Sequence, residues 1–120
     1  MLNFNPTFGY SHKLKTLYKH GKLPTVTHGL YGKKLSIDSV SLEHIVPYSK
    51  GGKTVLNNLA LADKTANNLR GNEDISKFLT IDMIYNYLKQ FENLKLKNFN
   101  GNQYIKILTE TFKKLGFKFS

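Results

Sequence analysis

The stretch SLEHIVPYSKGG, residues 41–52, ends an apolar run with a carboxylate and an imidazole side by side, Glu43 and His44. A carboxylate binds hard divalent cations, and a histidine can bind a metal or accept a proton near neutral pH. The sequence contains no cysteine, which excludes disulfides and thiolate zinc sites and leaves His, Asp, Glu and Asn as metal ligands. Because an acid beside a histidine is common, the surrounding residues must decide what this pair does.

The residue pattern predicts which elements position the pair. Alternating and β-branched residues over 25–46 favour strands, with YGKK as their turn, and a Pro47 and double-glycine loop ends them. TVLNNLALA, residues 54–62, is typical of a second strand, and DKTANNLRGN, residues 63–72, of a short helix that stops at Gly71. The predicted order is strand, glycine loop, strand, short helix.

Helices are predicted on both sides of this unit. Ser11 is the expected N-cap of a basic amphipathic helix that ends near Lys19. On the other side, Asn72 is the expected cap of a short helix and Thr80 of a longer one. A last helix is predicted over 103–115, and apolar stripes in both long helices indicate core: Met83, Ile84, Tyr87, Leu88, Phe91, Tyr104, Ile105, Leu108, Phe112 and Leu115. KLKNFNGN, residues 95–102, is expected to be a flexible loop.

Length and composition predict one globular domain over residues 1–120, with 40% hydrophobic residues. No apolar run approaches the roughly 18 residues of a membrane helix, and the first residues lack the pattern of a signal peptide, so a cytoplasmic location without membrane contact is expected. The net charge of +10, with no acid before Asp38, favours a polyanionic partner. The alternative is a generally basic protein from an organism rich in Lys and Asn codons, since Arg70 is the only arginine.

The segment LEHIVPYSKGGKTVLNNLALADKTANNLRGN, residues 42–72, resembles the motif of the HNH nuclease family. The family pattern is an acid or His, then His, I-x-P, a Gly-Gly loop, Asn-Leu, and an Asn or His followed by a basic residue and Gly. In order along this chain, those elements are Glu43, His44, Ile45, Pro47, Gly51, Gly52, Asn58, Leu59, Asn67, Arg70 and Gly71. The resemblance covers about 30 residues directly and extends weakly upstream toward Thr25.

The resemblance implies an α+β fold: a ββα-metal (His-Me finger) core over about 25–72, a basic N-terminal helix and a helical C-terminal extension over about 73–120. It implies that Glu43 and Asn67 are metal ligands, that His44 is the general base, and that Asn58 braces the loop and orients the imidazole. Adjacent residues of a strand point to opposite sides, so Glu43 and His44 can divide these two roles. A carboxylate and an amide oxygen suit Mg²⁺ or Mn²⁺ better than zinc.

Several assignments have alternatives. His44 alone is also typical of a hydrogen-bonded core histidine, and Glu43 of a solvated acid at a strand end. Asn68 is the alternative to Asn67, but the two project about 100° apart on a helix, so only one can face an ion. Asn57 is the alternative to Asn58, which directly precedes the leucine of the motif.

Many family members carry two C-x-x-C pairs that bind a structural zinc. The corresponding positions here are His28, Tyr31, Asp63 and Ala66. Tyr31 and Ala66 are not ordinary zinc ligands, so no structural zinc is expected, and a metal held by His28 and Asp63 alone is the remaining alternative. A small domain without this metal needs other packing, and we expect Tyr31 and the C-terminal helices to supply it. The chain also has Glu43 where Asp is commoner in the family.

Basic residues around the motif are candidates for nucleic-acid contact: Lys50, Lys53, Lys64, Arg70, Lys13, Lys15 and Lys19. Each alone is also typical of a solvated charge. The resemblance implies a divalent-metal-dependent DNA endonuclease or nicking enzyme of phages, mobile elements or restriction systems, acting on DNA that we expect to be double-stranded and leaving 5′-phosphate and 3′-hydroxyl ends. The alternatives are a non-catalytic nucleic-acid-binding protein that keeps the fold, and an RNA-cleaving nuclease or toxin.

Overall fold

A computed structural model describes residues 14–119, and it has the predicted α+β class. Helix α1 covers residues 14–19, so the predicted cap Ser11 lies outside the described residues. Strands β1 (Val40–His44) and β2 (Leu59–Asp63) pair antiparallel, and helix α2 (Lys64–Arg70) follows directly. The pairing places His44 opposite Leu59, so the loop between the strands begins at the end of the Glu43–His44 pair.

The long loop between β1 and β2 closes on itself. Gly51 adopts a φ of 90°, which suits a glycine, and Gly52 N–H donates to Pro47 O at 2.9 Å. A Cβ at Gly52 would lie 1.8 Å from the oxygen of Val46, so only glycine fits there. Leu56–Asn58 forms a 3-10 turn. The second strand therefore begins at Leu59, later than the sequence pattern predicted.

The region before β1 is less regular than predicted. Of the strands expected over 25–46, the structure has β1 and one isolated antiparallel bridge between His28 and Lys34. This segment lies along β2, because Leu30 N–H donates to Leu61 O at 2.8 Å. The segment also keeps bonds across the predicted YGKK turn, since Gly29 N–H and Leu35 N–H donate to Lys33 O and Thr27 O at 2.8 and 2.9 Å.

The C-terminal extension contains helix α3 (Ile81–Lys89) and helix α4 (Gly101–Lys114). Thr80 caps α3 as predicted, since its hydroxyl accepts from Met83 N–H. The cap predicted at Asn72 is wrong, because Asp74 instead caps a 3-10 turn over Ile75–Lys77.

The flexible loop predicted between these helices is also wrong. Strands β3 (Lys95–Leu96) and β4 (Phe99–Asn100) form a small antiparallel hairpin. Phe99 is buried and contacts the rings of Phe91 and Tyr104, so the hairpin is anchored in the core.

Two tyrosines of the extension form hydrogen bonds with main-chain groups of β2. Leu61 N–H donates to the Tyr87 hydroxyl at 2.9 Å, and the Tyr104 hydroxyl donates to Leu59 O at 2.7 Å. The two hydroxyl oxygens lie 2.9 Å apart. Because the single Tyr104 hydroxyl hydrogen is already in the bond to Leu59 O, the Tyr87 hydroxyl donates to the Tyr104 oxygen. Both rings are buried in a cluster that also contains Leu14 of α1. No helix within residues 14–119 combines the length and hydrophobicity needed to cross a bilayer.

Candidate active site

Glu43 is buried, with 4% of its surface exposed, and one of its carboxylate oxygens is fully engaged. Its Oε2 lies 3.2 Å from Arg70 Nη1 and accepts a hydrogen bond from the Tyr31 hydroxyl. Among the described residues, none donates to the other oxygen, Oε1. The carboxylate is therefore held in one orientation with one oxygen left for a further partner.

Arg70 fixes this carboxylate from helix α2. Its guanidinium donates to the main-chain oxygens of Glu73, His44 and Ile45 at 2.8, 2.7 and 2.9 Å. Because Arg70 is only 2% exposed and these donors are engaged, it does not present its charge to a phosphate at the surface. The sequence-based assignment of Arg70 to phosphate contact is thus corrected by burial, and its place is that of a clamp between α2 and the end of β1.

Tyr31 completes the surroundings of Glu43. Burial raises the pKa of Tyr31 well above its usual range, and the hydrogen bond to Glu43 raises it further. The hydroxyl therefore stays protonated and remains a donor throughout the neutral range. The sequence indicated Tyr31 as a packing residue in place of a zinc ligand, and its ring does pack against the core.

His44 is half-buried at the end of β1 and is open to solvent on one side. Its Nε2 lies 2.9 Å from the hydroxyl oxygen of Thr54, an exposed residue of the glycine loop. No group among residues 14–119 bonds to Nδ1. The exposed ring of Tyr48 lies edge-on to the imidazole, with centroids 6.4 Å apart. His44 thus has the access and the unoccupied nitrogen that a general base requires.

Asn58 is buried and ties the two ends of the glycine loop together. Its Oδ1 accepts from Val46 N–H at 2.8 Å, and its Nδ2 donates to the oxygens of Val46 and Lys53 at 3.1 and 2.9 Å. Lys53 directly precedes Thr54, so the Asn58 side chain fixes the residue next to the one that contacts His44. Asn57, the alternative, is exposed.

Asn67 is the asparagine of α2 that faces β1. Its Nδ2 donates to the hydroxyl of Ser41 and to Leu42 O, both at 3.1 Å, whereas Asn68 is exposed. Asn67 and Arg70 are three residues apart and share one face of the helix. Ser41 and Glu43 share one face of the strand in the same way. No donor among the described residues occupies Asn67 Oδ1.

The donor set fits a hard divalent cation. Glu43 Oε1 and Asn67 Oδ1 are a carboxylate and an amide oxygen on the two facing elements, and both lack a donor from residues 14–119. Such oxygens with open positions for water and phosphate suit Mg²⁺ or Mn²⁺. Within the same residues, no group of three His, Cys, Asp or Glu side chains is placed to hold a metal ion.

The predicted nucleic-acid contacts differ in exposure. Lys50, Lys53 and Lys64, which flank the glycine loop and the start of α2, are exposed. In α1, Lys19 is exposed and Lys15 is half-buried. Lys13 lies outside the described residues.

Hydrogen bonds occupy the positions that correspond to the zinc ligands. The Gln90 side chain accepts from Thr27 N–H and His28 N–H at 2.8 and 2.9 Å and donates to His28 O at 2.9 Å. Asp63 caps α2 by accepting from two main-chain N–H groups. One amide side chain of the extension therefore holds the main chain at residues 27 and 28.

Sequence reasoning missed Thr54 and Gln90 as contributors. Thr54 follows the glycine loop at a position for which the motif prescribes no residue type, and Gln90 lies more than 60 residues from the turn it holds. A hydroxyl just after a loop that returns toward a histidine was the one local signal available. For Gln90 no local signal exists, because the contact depends on how α3 docks.

Residues 32–73 match the sequence model of the HNH endonuclease family. No curated protein and no solved structure matches the chain. The matched segment contains β1, the glycine loop, β2 and α2, and with them the Glu43, His44, Asn58 and Asn67 side chains. Residues 32–73 are therefore similar to the HNH endonuclease domain, and the candidate site lies within them.

Proposed function

We propose that this protein is a divalent-metal-dependent DNA endonuclease with His44 as its general base. The observation that carries the proposal is the arrangement at the end of β1. His44 is accessible with Nδ1 unoccupied, and its neighbour Glu43 and the facing Asn67 each keep one oxygen without a donor from residues 14–119.

The chain's own residues act on a water molecule and on the phosphate. His44 accepts a proton from water as its oxygen attacks phosphorus, while the loop braced by Asn58 keeps the ring in place. Glu43 and Asn67 would hold the cation, which supplies charge stabilisation for the scissile phosphate and the departing O3′. Cleavage of this kind leaves 5′-phosphate and 3′-hydroxyl ends.

The net charge favours a nucleic-acid substrate, and we propose that this substrate is double-stranded DNA. With a net charge of +10, the protein attracts a polymer that carries closely spaced phosphates. Lys50, Lys53 and Lys64 are exposed around the site and are the proposed phosphate contacts. The cytoplasmic location remains a prediction from the sequence.

One observation favours a second candidate, a nucleic-acid-binding protein that does not cleave. Arg70 is an internal cation that already neutralises Glu43, and this lowers the attraction of the carboxylate for a metal. In an active enzyme, the substrate phosphate would supply further negative charge for the cation.

The test uses supercoiled plasmid, with linear duplex DNA and RNA of the same sequence as competing substrates. We expect Mg²⁺-dependent nicking that a chelator stops, and a decrease of about 10²–10⁴-fold in His44→Ala, with gel-shift binding retained. Binding without nicking by the wild type would favour the non-catalytic protein. Cleavage of RNA in preference to DNA would show that RNA is the substrate. Near-normal nicking by His44→Ala would overturn the assignment of the general base.

A further inference from the structure

We infer that Thr54 is a positioning residue for His44: its hydroxyl oxygen accepts a hydrogen bond from Nε2–H and so leaves Nδ1 as the basic nitrogen that faces the substrate. The inference rests on the proposed function and names one more residue of the same site. Its basis is the 2.9 Å contact between His44 Nε2 and Thr54 Oγ1, together with an Nδ1 to which no group of residues 14–119 bonds.

The assignment of the proton follows from what each nitrogen must do. A neutral imidazole carries one proton, so the nitrogen that donates cannot also accept. A general base needs a free lone pair directed at the water. Since Nε2 lies against the Thr54 hydroxyl and no group of residues 14–119 bonds to Nδ1, a base that acts through Nδ1 carries its proton on Nε2, with the threonine hydroxyl as acceptor.

Thr54 can carry out this role because its backbone is fixed. Asn58 Nδ2 donates to the oxygen of Lys53, the preceding residue, at 2.9 Å, and the same amide holds both polar main-chain groups of Val46. Gly51 and Gly52 let the loop turn back so that residue 54 reaches the imidazole. A chain of contacts therefore runs from the buried Asn58 through the loop to the ring.

The inference also separates two roles that the motif joins. The Asn58 side chain bonds to Val46 and Lys53 and not to His44, so it orients the imidazole only through the loop. Thr54 makes the direct contact. Removing the Thr54 hydroxyl should thus affect the ring while leaving the loop closed.

The test compares Thr54→Val, which keeps the shape and removes the hydroxyl, with Thr54→Ser, which keeps the hydroxyl. Thr109→Val is the matched control, because the Thr109 hydroxyl bonds to Ile105 O within α4. For each variant, ¹⁵N NMR on histidine-labelled, metal-free protein at pH 8 gives the protonated nitrogen and the exchange rate of its proton. His44→Gln identifies the His44 signals among those of the four histidines.

We expect the wild type to carry the proton on Nε2, and Thr54→Val to exchange it about 3- to 10-fold faster and to nick plasmid about 3- to 10-fold more slowly. Thr54→Ser and Thr109→Val should match the wild type in both measurements, and thermal unfolding should confirm that every variant is folded. A proton on Nδ1 in the wild type, or unchanged exchange and nicking in Thr54→Val, overturns the inference. Slow Nε2–H exchange in a protein that cleaves nothing overturns the proposed function but supports the contact.

Discussion

The ββα core and the C-terminal extension bury different kinds of side chain. Among residues 14–119, the buried polar and charged side chains are Glu43, Asn58 and Arg70, and all belong to the matched motif. In the extension the buried side chains are aliphatic or aromatic, and the aromatic ones are Tyr87, Phe91, Phe99, Tyr104 and Phe112. The motif region thus buries polar groups in addition to its share of the apolar core, whereas the extension buries apolar and aromatic side chains.

This difference indicates which side chains fix the site and which stabilise the fold. A buried ion pair such as Glu43–Arg70 fixes geometry, but its desolvation offsets most of its attraction, so it adds little net stability. Burial of aromatic rings stabilises the fold strongly, and the hydroxyls of Tyr87 and Tyr104 attach these rings to the main chain of β2 by hydrogen bonds. The polar interior of the motif region thus fixes the site, while the aromatic interior of the extension adds stability to the shared core.

The largest expected effect is on the buried ion pair. Arg70→Ala leaves Glu43 buried without a counter-charge and frees three main-chain oxygens, which should cost about 3–5 kcal/mol of unfolding free energy. Lys77→Ala is the control, because its pair with Glu73 is exposed and screened by solvent, so its loss should change the unfolding free energy far less. Urea unfolding measures both. Equal decreases in the two variants would contradict the role of Arg70 as a clamp.

A second prediction concerns Asn67, the proposed metal ligand on α2. Asn67→Ala removes a proposed ligand and should raise the Mg²⁺ concentration for half-maximal nicking by about 10- to 100-fold. Asn68→Ala, one residue away on an exposed face, should leave that concentration unchanged. Titration of nicking rate against Mg²⁺ distinguishes the two variants, and the reverse order would move the ligand to Asn68.

Tyr104 tests the stabilising region. Tyr104→Phe leaves Leu59 O and the Tyr87 hydroxyl without their partner, at a cost of about 1–2 kcal/mol in unfolding free energy. Nicking at temperatures where the variant is folded should match the wild type. The exposed Tyr85 provides the control, since Tyr85→Phe keeps its ring contact with Phe119. A nicking defect in folded Tyr104→Phe would show that the extension also positions the site.

The smallest effect concerns single surface charges. Log affinity falls as log salt rises, and replacing Lys50 or Lys53 with Gln should make this negative slope shallower by about 0.9 for each phosphate that the protein no longer neutralises. Lys97→Gln, an exposed lysine of the β3–β4 hairpin region, should leave the slope unchanged. Gel shifts on one duplex between about 50 and 200 mM salt measure the slope. Equal slopes for all variants would remove Lys50 and Lys53 from the interface.

The parts of the fold with local signals were predictable from the sequence. The order strand, loop, strand, helix follows from residue alternation and glycines, and the Thr80 cap from its position before an apolar stripe. The β3–β4 hairpin was not, because its polar sequence is typical of a loop and only burial of Phe99 fixes it. Arg70 was misassigned for a similar reason, since charge and position in the motif do not reveal that tertiary packing buries it.

The central claim is that one divalent cation lies between Glu43 and Asn67 while His44 stays free to act as a base. Anomalous diffraction from crystals grown with Mn²⁺ and a non-cleavable duplex tests it most directly. We predict one manganese peak within bonding distance of Glu43 Oε1 and Asn67 Oδ1, with His44 outside the coordination sphere. A manganese ion bound elsewhere, or bound through the His44 ring, would contradict the account.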